Sequence, residues 1–190
     1  LFSDQGWLML THFGLSGPLV LTLSSMLPED PAGVRLLIDL KPALDAETLD
    51  QRLLRDFSQA PRKGLISVLD GLAPHSLALI IAELAGLSPA KPIHSVTQAE
   101  RKALINVIKG MPLTVRGYRG FNEAVITRGG VDVKQISPST MQSRLIEGLF
   151  FAGEVLDVDA LTGGFNLQIA FSTGALAGMS AAELSLQAGR

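Results

Sequence analysis

Apolar residues recur every four positions through the middle of the chain. Leu49, Leu53 and Phe57 form one such run, and a similar run follows it. This spacing places the side chains on one face of a helix, which is the face that a core buries. We therefore predict a helical region over residues 42–110.

Start and stop signals divide this helical region. Pro74 can begin a helix that Gly86 ends, because proline suits the first helical turn and glycine suits the position after the last one. The run Thr97-Gln-Ala-Glu100 has the spacing of a capping box, and the helix that it begins would end at Gly110. Caps as regular as these indicate a structural role for the region.

Strand-like runs lie on both sides of the helical region. Their β-rich residues predict strands over residues 7–13, 34–40, 113–118 and 121–127. Pro18 suits the first turn of a helix that would run to Met26. Arg119-Gly120 would join the last two strands through a hairpin-like turn.

The last third of the chain contains two glycine signals. Residues 149–152 predict a strand buried on both faces that ends at Gly153-Glu154, and Gly163-Gly164 then precedes a long helix of small residues. Open α/β sheets bind ligands at the carboxyl ends of their strands. Free N–H groups at the start of the helix would attract negative charge, such as that of a reduced flavin. The alternative interpretation is that Gly-Gly is only a flexible turn.

Composition narrows the class of protein further. The chain has 190 residues, 47% of them hydrophobic, and a net charge of −2. This is enough for one or two cores and gives no reason to expect nucleic acid or an anionic membrane surface. The absence of cysteine excludes disulfides and thiolate sites within the chain and fits an intracellular setting. The apolar runs 15–27 and 77–87 are too short to span a bilayer.

A set of motifs, taken together and in order, resembles a known family. The segments are Thr11-His-Phe-Gly-Leu-Ser-Gly-Pro18, Thr127-Arg-Gly-Gly-Val131, Ile136-Ser-Pro-Ser-Thr-Met141, Gly148-Leu-Phe-Phe-Ala-Gly-Glu-Val-Leu-Asp157 and Thr162-Gly-Gly-Phe-Asn-Leu-Gln168. They closely resemble the BaiN-type bacterial flavoproteins, often labelled NAD(FAD)-utilizing dehydrogenases or aminoacetone-oxidase-like proteins. The resemblance spans nearly the whole chain, although residues 44–111 contribute little to it.

The resemblance implies a fold of the α/β and α+β classes. It combines part of a glutathione-reductase-type, Rossmann-like FAD-binding fold with an inserted domain that contains a small β-barrel and a helical subdomain. Residues 1–41 and 111–126 would form the β part of the insertion, residues 42–110 its helical subdomain, and residues 127–190 the C-terminal part of the FAD-binding domain. The G-x-G-x-x-G motif that holds the FAD pyrophosphate in the family does not occur in this sequence. We therefore expect a C-terminal portion whose N-terminal half carries that motif.

The resemblance also implies which residues border the cofactor. Thr127, Gly129 and Gly130 would lie near the isoalloxazine ring, and a β-turn between two strands is the alternative interpretation of this motif. Gly153 and Glu154 would meet the ribityl chain, where Glu154 would accept a hydrogen bond from a hydroxyl group. The pyrimidine end of the ring would be bordered by the last group of residues, namely Thr162, Gly163, Gly164, Phe165 and Asn166. Since the family usually has tyrosine where this chain has Phe165, we expect an apolar wall there.

The sequence assigns no catalytic residue and no metal ligand. Asp157 and Asp159 flank a loop that has no further ligand at a recognisable spacing, so we expect a solvated or hydrogen-bonded loop. His75 and His94 have no partner in sequence, whereas His12 lies in a family-like segment and is a candidate for contact near the substrate. Three arginines near the returning strands would form either a solvated face or a phosphate site: Arg116, Arg119 and Arg128.

These implications lead to one leading function. The intact protein would be an FAD-dependent oxidoreductase that transfers hydride through the flavin, with NAD(P)H as a candidate electron donor. It would reduce an activated C=C bond or oxidise an amine-like substrate, and this chain alone would be inactive. Its partners would be a small-molecule substrate and the missing N-terminal half, with no nucleic acid and no membrane, in the cytoplasm. The alternatives are a non-catalytic binding module and a nicotinamide-binding domain, and the missing glycine motif disfavours the latter.

Overall fold

The structure is a computed structural model that describes residues 2–188. Within these residues the chain forms two compact units, one of residues 31–116 and one that joins residues 2–30 to residues 117–188. Helices and strands both occur, which confirms the mixed helix and strand class. The division into the three predicted parts stays a prediction.

The unit of residues 31–116 contains most of the helices. They are α2 (Ala46–Gln59), α3 (Ile66–Leu69), α4 (His75–Leu84) and α5 (Gln98–Lys109). Strands β3 (Arg35–Ile38) and β4 (Met111–Thr114) flank them and pair antiparallel, with Arg35 opposite Thr114. The predicted helical region and its flanking strands at 34–40 and 113–118 are therefore confirmed in position, although both strands are shorter than predicted.

The core of this unit consists of aliphatic side chains from the helical repeat. The predicted Leu49 and Leu53 are fully buried and Phe57 nearly so, and the largest side chains with less than 2% exposure form one set: Leu49, Leu53, Leu65, Leu69, Ile81, Leu104 and Ile108. An ion pair reinforces the packing of α2 against α5, because Arg101 Nε donates to Asp50 Oδ1 over 2.6 Å. The periodicity of the sequence thus identifies the buried faces correctly.

The capping box at the start of α5 is present as predicted. Thr97 Oγ1 accepts a hydrogen bond from the Glu100 N–H, and Glu100 Oε2 accepts one from the Thr97 N–H over 2.8 Å. A hydrogen bond from Lys91 Nζ, followed by the one from Thr97 N–H, lowers the pKa of Glu100 below its ordinary value. The carboxylate therefore remains charged at neutral pH, and such a cap stabilises a helix by about 1 kcal/mol.

The second unit contains the remaining regular elements. Strands β1 (Met9–Thr11) and β2 (Gly14–Ser16) form a short antiparallel hairpin, and helix α1 spans Pro18–Met26 as predicted. The long helix α6 (Phe165–Ala188) follows Gly163-Gly164, which confirms the predicted helix start. Among residues 2–188 the strands form only two two-stranded sheets and no closed barrel.

Two predicted strands of this unit are wrong. Residues 121–127 contain a 3₁₀ turn, Phe121–Glu123, and no strand, so Arg119-Gly120 is not a hairpin turn. Gly120 adopts φ 87°, and Arg119 pairs with Glu123 over 2.9 Å, which closes the turn locally. Alternating apolar residues form a strand only where another strand pairs with them, and Phe121 is here 86% exposed.

The apolar run at residues 149–152 is the second wrong strand. Phe150 makes one isolated bridge to Gln142, and the Phe151 N–H donates to the Met141 carbonyl over 3.0 Å. Leu149 is 37% exposed, so the run is not buried on both faces within the described residues. Its carbonyl and amide groups bond to a neighbouring loop rather than to a sheet.

Helix α6 is long, apolar and almost entirely exposed. By length and composition alone it could cross a membrane, and 6% of the tested segment is buried. The sequence analysis considered only the shorter apolar runs and overlooked this helix, because small residues dilute its hydropathy. One such helix is weak evidence for a membrane span, so its exposed face needs a separate explanation.

Candidate functional site

The loop that contains Thr127, Gly129 and Gly130 lies against the turn that contains Gly153 and Glu154. The Val131 N–H donates to the Val155 carbonyl over 2.8 Å, and the Asp157 N–H donates to the Val131 carbonyl over 2.9 Å. Val131 thereby forms a short parallel bridge with Leu156. Two motifs that are about 25 residues apart in sequence are therefore adjacent in the structure.

The side chain of Glu154 holds these two segments together. Glu154 Oε1 accepts hydrogen bonds from the Thr127 N–H over 2.6 Å and from Thr127 Oγ1 over 3.1 Å. None of the described residues donates a hydrogen bond to Oε2, and the carboxylate is exposed. Glu154 therefore braces the loop through one oxygen and has the other available as an acceptor. The predicted contact with a ribityl hydroxyl stays a prediction.

Gly130 is required by a close approach of two backbone segments. Its φ is 152°, and a Cβ added to it would lie 2.4 Å from the Val155 carbonyl oxygen and 2.9 Å from the Leu156 carbonyl carbon. Real Cβ atoms do not approach other atoms so closely, so no other residue fits without a shift of the backbone. At Gly129, φ is 93° but the space around a Cβ is open. The sequence analysis ascribed both glycines to the approach of a ring, whereas Gly130 lies against the protein itself.

The start of α6 presents free backbone donors. Gly163 and Gly164 have φ values of 141° and 90°, and the Gln168 N–H makes the first helical hydrogen bond, to the Gly164 carbonyl, over 3.1 Å. The N–H groups of residues 165–167 therefore have no acceptor within the helix. Phe165, in the same turn, is 58% exposed.

Asn166 connects the start of α6 to the acidic loop before it. Its side-chain Oδ1 accepts from the Ala160 N–H over 2.8 Å, and its Nδ2 donates to the Ala160 carbonyl over 2.9 Å. With both amide groups occupied, Asn166 fixes the loop rather than facing a ligand. Thr162, between them, is exposed.

The turn that contains Glu154 is also tied to α6. The Gly153 N–H donates to Thr173 Oγ1 over 2.9 Å, and a Cβ at Gly153 would lie 3.7 Å from Ala170 Cβ. Ala170 belongs to the small-residue face that the sequence singled out. The structure therefore connects all three predicted site segments, residues 127–130, 153–154 and 162–166, into one assembly.

A pocket of about 640 Å³ lies beside the start of α6. It is lined by the end of α1, by residues 159–161 and by Phe165, Gln168 and Ile169 of α6. A volume in this range accommodates a small molecule or a cofactor ring. Except for Phe165, the sequence analysis missed these residues, because α1 is more than a hundred residues away in sequence and carries no local motif for a pocket.

Arginine and tyrosine side chains cap the end of α1 next to this pocket. Arg128 Nη1 donates to the carbonyls of Ser25 (2.8 Å) and Leu27 (3.3 Å), and Tyr118 Oη donates to the Pro28 carbonyl over 2.8 Å. Such donors satisfy the carbonyls that the end of a helix leaves free. Arg128 of the predicted arginine group therefore has a structural role.

The remaining candidates from the sequence do not form a catalytic group. Arg119 lies 3.9 Å from the centre of the Phe13 ring, and His12 packs edge-on against the same ring. His75 has a carboxylate partner that the sequence did not suggest, since its Nδ1 lies 2.9 Å from Asp70 Oδ1. Among residues 2–188, no group of three or more His, Asp or Glu side chains could hold a metal ion.

The fold and the site together define a class: a mixed helix and strand protein in which glycine-rich turns meet at the start of a long helix. Residues 2–126 match the family described as "HI0933-like protein barrel and H2TH domain". The chain belongs to this family, the HI0933-like or BaiN-type flavoproteins, which confirms the resemblance found in its motifs.

Curated relatives support the same membership. The chain is 31% identical over 186 residues to the 3-dehydro-bile acid delta(4,6)-reductase of Clostridium scindens, which covers 96% of this chain and 46% of that protein. It is 34% identical over 166 residues to the ribosomal RNA dihydrouridine synthases of Haemophilus influenzae and Escherichia coli, covering 87% of this chain and 40% of each of them. The chain spans less than half the length of these relatives.

Proposed function

We propose that this chain contributes the flavin-ring side of an FAD site in a longer flavin-dependent oxidoreductase. The observation that carries the proposal is the convergence of three glycine-containing segments beside the 640 Å³ pocket at the start of α6. Membership of a flavoprotein family supports it. In this proposal the chain is the C-terminal portion, and the unmatched length of the relatives corresponds to the half that binds the adenine and pyrophosphate.

The residues present fit a flavin at three points. The free N–H groups of residues 165–167 suit an electron-rich edge of the ring, because a helix start stabilises negative charge. Gly129 leaves open space beside its backbone, and Phe165 supplies an exposed apolar face. The free Oε2 of Glu154 suits a hydroxyl donor on the ribityl chain. We assign Thr127, Gly130, Thr162 and Asn166 to hold these groups in position.

Bound FAD would supply the two-electron chemistry, and NAD(P)H would serve as the electron donor. The protein's own part is to orient the ring, to exclude water from the pocket and to favour the reduced form through the helix start. We propose that the substrate carries an activated C=C bond, because the names of the relatives denote a reductase and two synthases of a dihydro product. A cytoplasmic location accords with this proposal.

A Gly164→Val substitution in the intact protein should weaken FAD binding by about ten- to a hundredfold. Gly164 has φ 90°, a conformation in which a β-branched residue costs about 1–3 kcal/mol. The turn would relax to another conformation and move the N–H groups of the helix start. Titration with FAD, followed by flavin fluorescence, measures the effect.

Two controls separate this effect from general strain. Gly33→Val introduces the same residue at φ 83°, also with open space around the Cβ, but in the other unit. His75→Ala removes a side chain outside the proposed site. Both variants should bind FAD like the wild type. Equal FAD affinity in all three variants would refute the role of Gly164, and an intact protein that binds no FAD would favour the non-catalytic binding module.

We further propose that the remaining part of the intact protein covers α6. Leu167, Phe171, Met179 and Leu186 are each at least 60% exposed, more apolar surface than a soluble helix normally leaves uncovered. The relatives are more than twice as long as the matched region, which provides a covering segment. The missing half is therefore the proposed partner of this face.

A Phe171→Asp substitution should weaken assembly of this chain with the separately produced remainder at least about tenfold, because it places a charge in a buried apolar contact. Size-exclusion chromatography with light scattering measures the complex. Leu37→Asp, at a residue 75% exposed in the other unit, is the control and should assemble normally. Partition of the wild type into lipid vesicles, without formation of a complex, would contradict the proposal.

A further inference from the structure

The charges of the chain are segregated between the two units. Residues 31–116 contain eleven Lys or Arg and eight Asp or Glu, a formal charge of +3. The rest of the chain contains five and ten, a formal charge of −5. The net charge of −2, from which the sequence analysis expected no nucleic acid, therefore averages two units of opposite sign.

Two hydrogen-bonded loops gather cations on the positive unit. The Ile93 N–H donates to the Lys63 carbonyl and the His94 N–H to the Pro61 carbonyl, both over 3.0 Å. His94 Nδ1 donates to the same Pro61 carbonyl over 3.0 Å. The backbone thus fixes Arg62 and Lys63 of one loop beside His94 of the other, at exposed positions. We call Arg62, Lys63 and His94 the basic loop pair.

The cations of the basic loop pair differ from most others in this unit. Lys91, Arg101 and Lys109 each form an ion pair, with Glu100, Asp50 and Asp39, all over 2.6 Å. Among the described residues, no carboxylate pairs with Arg62 or Lys63. Their charge is therefore available to an external anion.

A groove on α2, the helix that leads into the first of these loops, carries further donors. It has a volume of about 410 Å³ and is lined by Leu44, Thr48, Gln51, Arg52 and Arg55. Arg52 Nε is shielded from solvent, has no hydrogen-bond partner and lies 3.6 Å from Asp56 Oδ2. An unsatisfied guanidinium nitrogen beside a second arginine is suited to accept a phosphate oxygen as its partner.

We propose that the basic loop pair, with the arginine groove of α2, binds the phosphate backbone of RNA. This rests on the proposed function, since it makes a base in a structured RNA the substrate of the flavin site. The only aromatic ring of Phe, Tyr or Trp type in residues 31–116 is Phe57, which is 8% exposed. The surface therefore lacks both rings on which bases could stack and aromatic anchors for a membrane, and it recognises phosphates rather than sequence.

The test compares two variants with the same change in net charge. Arg62→Gln with Lys63→Gln removes two positive charges from the basic loop pair, and Lys134→Glu changes the net charge by the same amount at an exposed residue of the other unit. Binding of the intact protein to a fluorescent 40-nucleotide RNA hairpin is measured over a range of salt concentrations. The slope of log K against log salt should fall by about 1.4 in the double variant, which corresponds to two lost phosphate contacts, and should change little in Lys134→Glu.

The outcomes distinguish this inference from the proposed function. Equal slopes for the wild type and the double variant, or equal losses in both variants, would overturn it, as would binding to phosphatidylglycerol vesicles without binding to RNA. Circular dichroism verifies the fold, and Arg62→Gln alone provides a second variant with an expected change of about half the size. FAD affinity is measured in the same samples: RNA binding without FAD binding refutes only the flavin site, and the reverse result refutes only the RNA surface.

Discussion

A Gly130→Ala variant should lose both stability and FAD binding, although it adds a single methyl group. The added Cβ would lie 2.4 Å from the Val155 carbonyl oxygen, and the φ of 152° is unfavourable for alanine. Strain of this kind and overpacking each cost about 1–3 kcal/mol. The loop would therefore separate from the turn, and the hydrogen bonds of Val131 and of Thr127 to Glu154 would break. Hydrogen exchange of the Val131 and Asp157 amides and titration with FAD measure the two losses.

The neighbouring glycine provides a matched control. Gly129→Ala introduces the same methyl group at φ 93°, where the space around the Cβ is open. It carries only the conformational strain, so its amides should stay protected and its loss of FAD affinity should be smaller. If both variants protect Val131 equally, the close approach at Gly130 is not what holds the two segments together.

The helices were the part of the fold that the sequence could predict. Their signals are local: a repeat such as Leu49–Leu53–Phe57, a capping box such as Thr97–Glu100 and a proline such as Pro18 lie within a few turns of one another. A helix satisfies its backbone hydrogen bonds within itself. The pattern therefore contains most of what is needed to place it.

The strands could not be predicted with the same success, because a strand needs a partner that the local sequence does not specify. The apolar runs at 121–127 and 149–152 have strand-like composition, but no described segment forms a ladder with either of them. Only the runs whose partners are present, such as Arg35–Ile38 with Met111–Thr114, form sheets. Composition favours a strand, and long-range pairing decides whether it forms.

The candidate site divides in the same way. The glycine motifs identified the segments that meet, because positive φ values and a helix start are local properties. The brace from Glu154 to Thr127 and the pocket wall from Met26 could not be predicted, since each depends on contacts between distant parts of the chain. Likewise, the net charge concealed the separation of charge, which is visible only once the two units are known.

A Leu53→Ala variant should destabilise the unit of residues 31–116 by about 2–5 kcal/mol. Leu53 is fully buried, and its removal would leave a cavity in the core that α2 shares with α5. Domains of this size have net stabilities of only about 5–15 kcal/mol, so the loss is a large fraction of the total. Chemical denaturation followed by far-ultraviolet circular dichroism measures it, because this unit contains most of the short helices.

The residue next to it on α2 provides the control that makes this result specific. Leu54 is 46% exposed, so Leu54→Ala removes the same atoms from the same helix with little loss of burial and should cost less than about 1 kcal/mol. If the two variants were equally destabilised, intrinsic helix propensity rather than core packing would stabilise α2. Unequal losses would show that the helical unit is held by its own core, and a surface such as the basic loop pair can then be altered without unfolding it.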